Sequence, residues 1–164
     1  MFVFLIVYLL GIIGFLIHYY HYLKPKKRTK AKTTELLLLY QLVFFVGITS
    51  FISYIALTFF GDIVQQYTNW PSCGYEEELA NVNLAFGVLC MMAIWFRDLF
   101  WMAIVFGFSI WILGDALHHF YDAFVNGNYS WGNLGMLVYT DIFIPVLLLI
   151  TFYFYQKYNR ERLY

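Results

Sequence analysis

Hydrophobic residues fall in long unbroken runs separated by short polar breaks, and the lengths of those runs predict the architecture. Five runs can span about 30 Å of hydrocarbon, which takes about 20 helical residues. They extend over residues 2–23, 36–60, 79–96, 99–120 and 134–155. The alternation of a membrane β-strand is absent. Stretches such as LLLLYQLVFFVGI predict helices, which satisfy their own backbone hydrogen bonds in lipid. The third and fourth runs form one apolar stretch from Leu79 to Phe120, broken only by Arg97-Asp98. As a continuous helix it would extend about 63 Å, about twice the hydrocarbon thickness, so the chain must turn back near that pair. Trp95 and Trp101 flank the turn, where aromatic rings at a membrane–water boundary are expected. The expected fold is an all-α polytopic membrane bundle of five transmembrane helices, forming a single transmembrane domain over residues 1–164. The longest loop, about residues 61–78, is too short to hold a core of its own.

Composition narrows the class. Of 164 residues, 62% are hydrophobic, 23% aromatic and 12% charged, with a mean hydropathy of +0.67. Soluble domains are about 45–50% apolar and about 25% charged, and a soluble chain of this size could not hide so much apolar surface. Disordered, collagen-like, disulfide-rich and nucleic-acid-binding classes are excluded on the same grounds. The partner implied is the lipid bilayer. Two cysteines, Cys73 and Cys90, are too few for a disulfide framework, and no CxxC or Cys/His pairing occurs. Cys90 lies inside an apolar run and Cys73 in a polar loop, so both are expected to be structural and unbridged.

Charge sets the orientation. Ten basic and ten acidic residues cancel, but six of the basic ones fall within residues 24–32. Threading five spans puts that loop, the Arg97 turn and the C-terminal tail on one side, and these carry every Lys and Arg. The opposite loops carry Asp62, Glu76, Glu77 and Glu78 and no basic residue. This asymmetry predicts the N-terminus outside and the C-terminus inside, in the plasma (inner) membrane. The first run lacks a basic n-region and exceeds the usual apolar length, so it reads as a retained helix rather than a cleaved signal.

Ionisable groups inside spans are expensive, about 2.5–3.5 kcal/mol each on insertion scales, and each needs an explanation. The fourth span ends GDALHHFYD, which contains Asp115, His118, His119 and Asp122. At about 100° per residue all four fall on one face about 100° wide. Asp115 with His119 and His118 with Asp122 are i,i+4 pairs, close enough for carboxylate–imidazole hydrogen bonds. The fifth span adds Asp141, at a depth similar to Asp115. Pro145 offers no N–H to the Asp141 carbonyl four residues back, leaving a carboxylate and a freed carbonyl at one position. Asn81, rather than Asn83, shares a face with Glu77 and Glu78 and is the better addition from the third span. His18 and His21 belong to the opposite end as interfacial anchors, which argues against a haem bridging His18 and His118. Gln41 is expected to hydrogen-bond between helices.

No nucleotide-binding, metalloprotease or hydrolase motif is evident. The segments ANVNLAFGVL (80–89), IWFRDLFWMAIVFGFSIWILGDALHH (94–119) and NYSWGNLGMLVYTDIFIP (128–145) resemble the shared half of a small family of prokaryotic multi-pass membrane proteins of unknown function. The resemblance covers about residues 75–150. It departs from the family's pattern at Leu84-Ala85, where the family has a glycine, and at His118-His119, where the family has one histidine. Which histidine matters is therefore open. The resemblance supports the architecture and the choice of Asn81, His119 and Asp141, and implies no chemistry.

The readings that follow are three. The first is an outer-leaflet polar site for a small cation, a proton or a small polar solute. Asp115 and Asp141 supply charge there, and His118 or His119 acts as ligand or proton acceptor, with a divalent metal on His118, His119 and Asp115 as one form. The second is a membrane-embedded enzyme using the cluster around a metal or quinone. The third is a structural subunit, packed against a second copy or another membrane protein, whose polar cluster is dry and fully paired.

Overall fold

A computed structural model of the chain describes residues 2–71 and 75–160. These residues are mostly helical, with no strand among them. Helix α1 (Phe2–Ile17) continues through a π-helical turn to Tyr22. After the basic loop, Thr29 caps the next helix, its Oγ1 accepting from the Lys32 amide at 3.3 Å. α2 (Lys30–Tyr40), a wide π-helical segment (Gln41–Ile48) and α3 (Thr49–Phe59) then run on without a break. α4 (Gly61–Thr68) is a short helix that ends at Asn69 in the left-handed conformation. α5 (Glu76–Met92), α6 (Leu99–Asn126), α7 (Trp131–Leu134) and α8 (Met136–Arg160) complete the bundle.

Four segments are long and apolar enough to cross a membrane: Phe2–Tyr22, Lys30–Phe59, Leu99–Asn126 and Trp131–Asn159. The expected third run differs. Its helix α5 has 17 residues and stops at Met92, because the reversal expected at Arg97 already begins in turns at residues 93–95. The stretch expected as a loop over residues 61–78 contains α4. Cys73 lies outside the described residues; Cys90 is buried and free.

α6 packs along α8, α2 also lies on α8, α3 runs beside α5, and α1 rests on the π-helical segment. Leu38, Leu42, Val46, Val105, Trp101 and Leu148 form a tightly closed core. Gln41 Nε2 donates to Thr151 Oγ1 at 3.1 Å, as expected of a polar residue between helices.

That core sits at the Arg97 end of the bundle, and the turn there is built around it. Trp101, expected at the membrane boundary, is fully buried, whereas Trp95 is 73% exposed. The Trp101 indole N–H donates to the Ala93 carbonyl at 2.9 Å, which also accepts from Arg97. The Arg97 guanidinium lies over the Trp101 ring, 4.7 Å from its centroid. Asp98 takes a positive φ of 57°, and its Oδ1 accepts from the Tyr155 hydroxyl at 2.7 Å. The reversal is thus fixed by polar contacts into the core, and the opposite end of the bundle is left to hold the cavities.

Candidate functional site

At that opposite end, α6 presents Asp115 and His119 one turn apart, and α8 presents Asp141 beside them. His119 Nε2 lies 3.9 Å from Asp115 Oδ2 and 3.7 Å from Asp141 Oδ2. One ligating atom from each of the three residues falls within 4.8 Å of the others. His119 is 3% exposed, and the Asp115 and Asp141 side chains are half-buried.

The opposite edge of the imidazole is anchored by Asn133 on α7. Its Nδ2 donates to the carbonyls of His119 and Asn128 at 3.1 and 2.8 Å. Both amide hydrogens are thereby used, and Oδ1 is directed toward His119 Nδ1 at 2.8 Å and Trp70 Nε1 at 3.1 Å. Indole nitrogen is only a donor, so this amide orientation is the one that satisfies every partner. His119 must then carry its proton on Nδ1. In the neutral imidazole Nε2 is left as an acceptor, facing two carboxylate oxygens that are acceptors too.

Trp70, between α4 and α5 in sequence, closes over the site. Its ring stacks on His119, with centroids 4.9 Å apart. Its Nε1–H is shared between Asn133 and Asp122 Oδ2, the latter at 3.0 Å. Asn128 Nδ2 donates to Asp122 Oδ2 at 2.7 Å and to the Thr68 carbonyl at 3.0 Å, which joins α4 to the α6–α7 loop. Gly132 makes that junction possible: a Cβ there would lie 2.0 Å from the Tyr67 carbonyl oxygen.

Two neighbouring cavities meet at Asp141. The smaller, about 90 Å³, has the hydroxyl and amide groups of Thr49, Ser50, Ser53, Asn83 and Thr140 in a wall that is otherwise mostly apolar. The larger, about 430 Å³, has Asp115, His119 and Asp141 in its wall and mostly apolar side chains elsewhere. It falls in the range of small-molecule sites, about 300–1,000 Å³.

Of the residues singled out in the sequence, Asp115, His119 and Asp141 come together. The others do not join them. His118 is exposed and packs against Tyr121 and the edge of Trp70. Asp122 does not pair with His118; it accepts from Trp70, Asn126 and Asn128 and acts as an anchor. Asn81 is exposed, and Asn83 is the asparagine that lines both cavities. The buried stripe of α5, Ala80, Asn83, Gly87 and Cys90, sets that phase and turns Asn81 away. Pro145 is buried within α8, so no ring N–H reaches the Asp141 carbonyl. Sequence reasoning missed Trp70, Asn128 and Asn133, which lie in or beside connecting segments. The Gly132-Asn133 pair, part of the motif that carried the family resemblance, was the available signal.

A buried imidazole held by an amide on one side and facing two carboxylates on the other is a donor set suited to a cation. No curated protein and no solved structure matches the chain, so the site's chemistry rests on its own geometry. A family match does extend over nearly the whole chain, residues 1–161, well beyond the half that carried the resemblance. The chain belongs to that family, described as a family of unknown function (DUF6790).

Proposed function

We propose that this protein is an integral membrane protein that binds a divalent transition-metal ion at Asp115, His119 and Asp141. The observation that carries this reading is the fixed direction of His119: its Nε2 lone pair faces two carboxylate oxygens. With both carboxylates ionised, three acceptors converging at a half-buried place repel one another unless a positive charge sits among them. A proton alone would bring the atoms into hydrogen bonds of about 2.7–3.2 Å, and the separations here are 3.7 and 3.9 Å. Two ligands each about 2.1 Å from one zinc ion at the tetrahedral angle are about 3.4 Å apart, closer to what is observed. Imidazole with two carboxylates suits zinc or manganese better than calcium or magnesium, which favour all-oxygen sets. The structural-subunit reading expects a cluster with every group paired, and Nε2 is not so paired.

The same reading takes α5 as a fifth span. Seventeen helical residues rise about 26 Å, and the turn at residues 93–95 adds to that. Every Lys and Arg then lies on the inner face of the plasma membrane and the metal site opens toward the outer leaflet. The closed core around Leu42, Val46 and Trp101 seals the inner half, which favours holding a cation over passing it across.

Thermal unfolding of the purified protein tests the metal reading. Zinc or manganese should raise the melting temperature of the wild-type chain and of His118→Ala, and should have no effect on Asp141→Asn. An equal rise in Asp141→Asn contradicts it.

A further inference from the structure

Resting on that metal site, we propose that the adjoining cavity of about 430 Å³ takes a neutral acyl-chain lipid whose carbonyl oxygen completes the coordination of the ion. The class is a medium-chain fatty amide or ester.

The first support is coordination number. Three protein ligands leave a tetrahedral ion one position short, the pattern of sites that bind an exchangeable molecule rather than structural sites closed by four protein ligands. Asp115, His119 and Asp141 all stand in the wall of the larger cavity, so the open position is directed into it.

The second support is the chemistry of the remaining wall. Phe4, Leu57, Ile63, Val64, Trp111 and Leu137 line it, drawn from five helices. Such a surface favours hydrocarbon and offers little to a sugar, nucleotide or hydrated ion. The carboxylates and the imidazole of the wall are those of the triad, and Ser53, Thr68 and Asn83 add neutral polar groups to an otherwise mostly apolar surface, which suits a ligand polar at one end and apolar along the rest.

Charge fixes the kind of polar end. Two carboxylates and a divalent ion sum to zero, with His119 neutral. A ligand carboxylate would leave a net negative charge in a buried place, and an ammonium group a net positive one. Both are penalised by desolvation. A carbonyl oxygen adds a donor to the metal and no charge, and an amide N–H can in addition donate to the free oxygen of either aspartate. Trp70, stacked on His119, also lines the cavity.

The test uses the full chain in nanodiscs of phosphatidylethanolamine and phosphatidylglycerol, with melting followed in the presence of zinc alone, zinc plus decanamide, zinc plus decanoate, zinc plus decane, and decanamide with a chelator. Decanamide should add a rise of about 5 °C at saturation to that given by zinc, with little effect when zinc is chelated and little from decane or decanoate. Ala56→Phe, which adds a ring to the cavity wall from α3, a helix that carries none of the three ligands, should abolish the decanamide rise and keep the zinc rise; Ala56→Leu is the smaller filling if the ring prevents folding. A zinc rise with no addition from decanamide overturns this inference and leaves the metal site standing. So does an equal addition from decane, a greater one from decanoate, or a decanamide rise that survives both Ala56 variants. Absence of any zinc rise refutes the metal site, and this inference with it.

Discussion

Asn133 Oδ1 lies 2.8 Å from His119 Nδ1, while the same amide donates to the His119 and Asn128 carbonyls at 3.1 and 2.8 Å. The asparagine is fully buried, and every one of its donors is used. Its carbonyl oxygen fixes both the ring plane and the tautomer of the histidine. The consequence appears on the far side of the ring, where Nε2 is aimed at Asp115 and Asp141. A residue outside the Asp115, His119 and Asp141 triad thus decides which lone pair His119 presents to the two carboxylates.

Replacing that residue should therefore do more than loosen packing. Asn133→Ala removes the partner of His119 Nδ1–H and one donor each to the His119 and Asn128 carbonyls, a destabilisation of about 1–3 kcal/mol for a buried group left unsatisfied. It should also weaken zinc binding about 10–100-fold, as loss of an outer partner to a metal-ligating histidine does. Metal titration of the purified variant checks this. Unchanged affinity with lowered stability would make Asn133 a packing residue only.

Metal binding should weaken as pH falls. Zinc needs both aspartates ionised and His119 Nε2 unprotonated, so protons compete with the ion at all three ligands. The zinc-induced rise in melting temperature is expected to be largest near about pH 8 and to shrink toward about pH 5. A rise that does not change over this interval contradicts binding at these ligands.

Much of the bundle was legible in the sequence because run length is a one-dimensional property. The 42-residue stretch from Leu79 to Phe120 had to fold back wherever its one charged pair lay. Asp115 and Asp141 stood out since a carboxylate in an apolar span needs a partner. Facing was harder to read. Asn81 and Asn83 differ by about 200° of helix phase, and only the packing of α5 on α3 decides which is buried. Trp101 looked like a boundary residue from its place beside Arg97, yet the turn begins four residues earlier and draws its ring into the core. Trp70, Asn128 and Asn133 were hidden because each has a partner 52, 60 or 14 residues away, and the Gly132-Asn133 pair marks the place without naming those contacts.

The two tryptophans of the turn give a contrast. Trp101→Ala removes a fully buried ring and its bond to Ala93 and should cost about 3–5 kcal/mol. Trp95→Ala alters an exposed side chain and should stay within about 0.5 kcal/mol. Denaturation of the two variants side by side decides it; similar losses would place the Trp101 ring outside the core.

Gly132→Ala should disturb the site from a distance. The added methyl meets the Tyr67 carbonyl, so α4 and α7 must separate, at about 1–3 kcal/mol, and Trp70 loses its seat on His119. Lower stability together with weaker zinc binding is expected. A fully stable variant would contradict the close approach of the two helices.

Labelling with a membrane-impermeant maleimide distinguishes five spans from four. With α5 crossing, a cysteine replacing Tyr129 reacts from outside and one replacing Lys26 reacts only after permeabilisation. If α5 does not cross, both positions lie on the same side, and the proposed topology is wrong.

The most direct measurement is metal content by elemental analysis and native mass spectrometry of the purified chain, beside His119→Ala and His118→Ala. The account predicts one zinc or manganese ion per wild-type chain after equilibration with the metal, the same for His118→Ala, and none for His119→Ala. No bound ion in the wild-type chain, or an undiminished ion in His119→Ala, would contradict it.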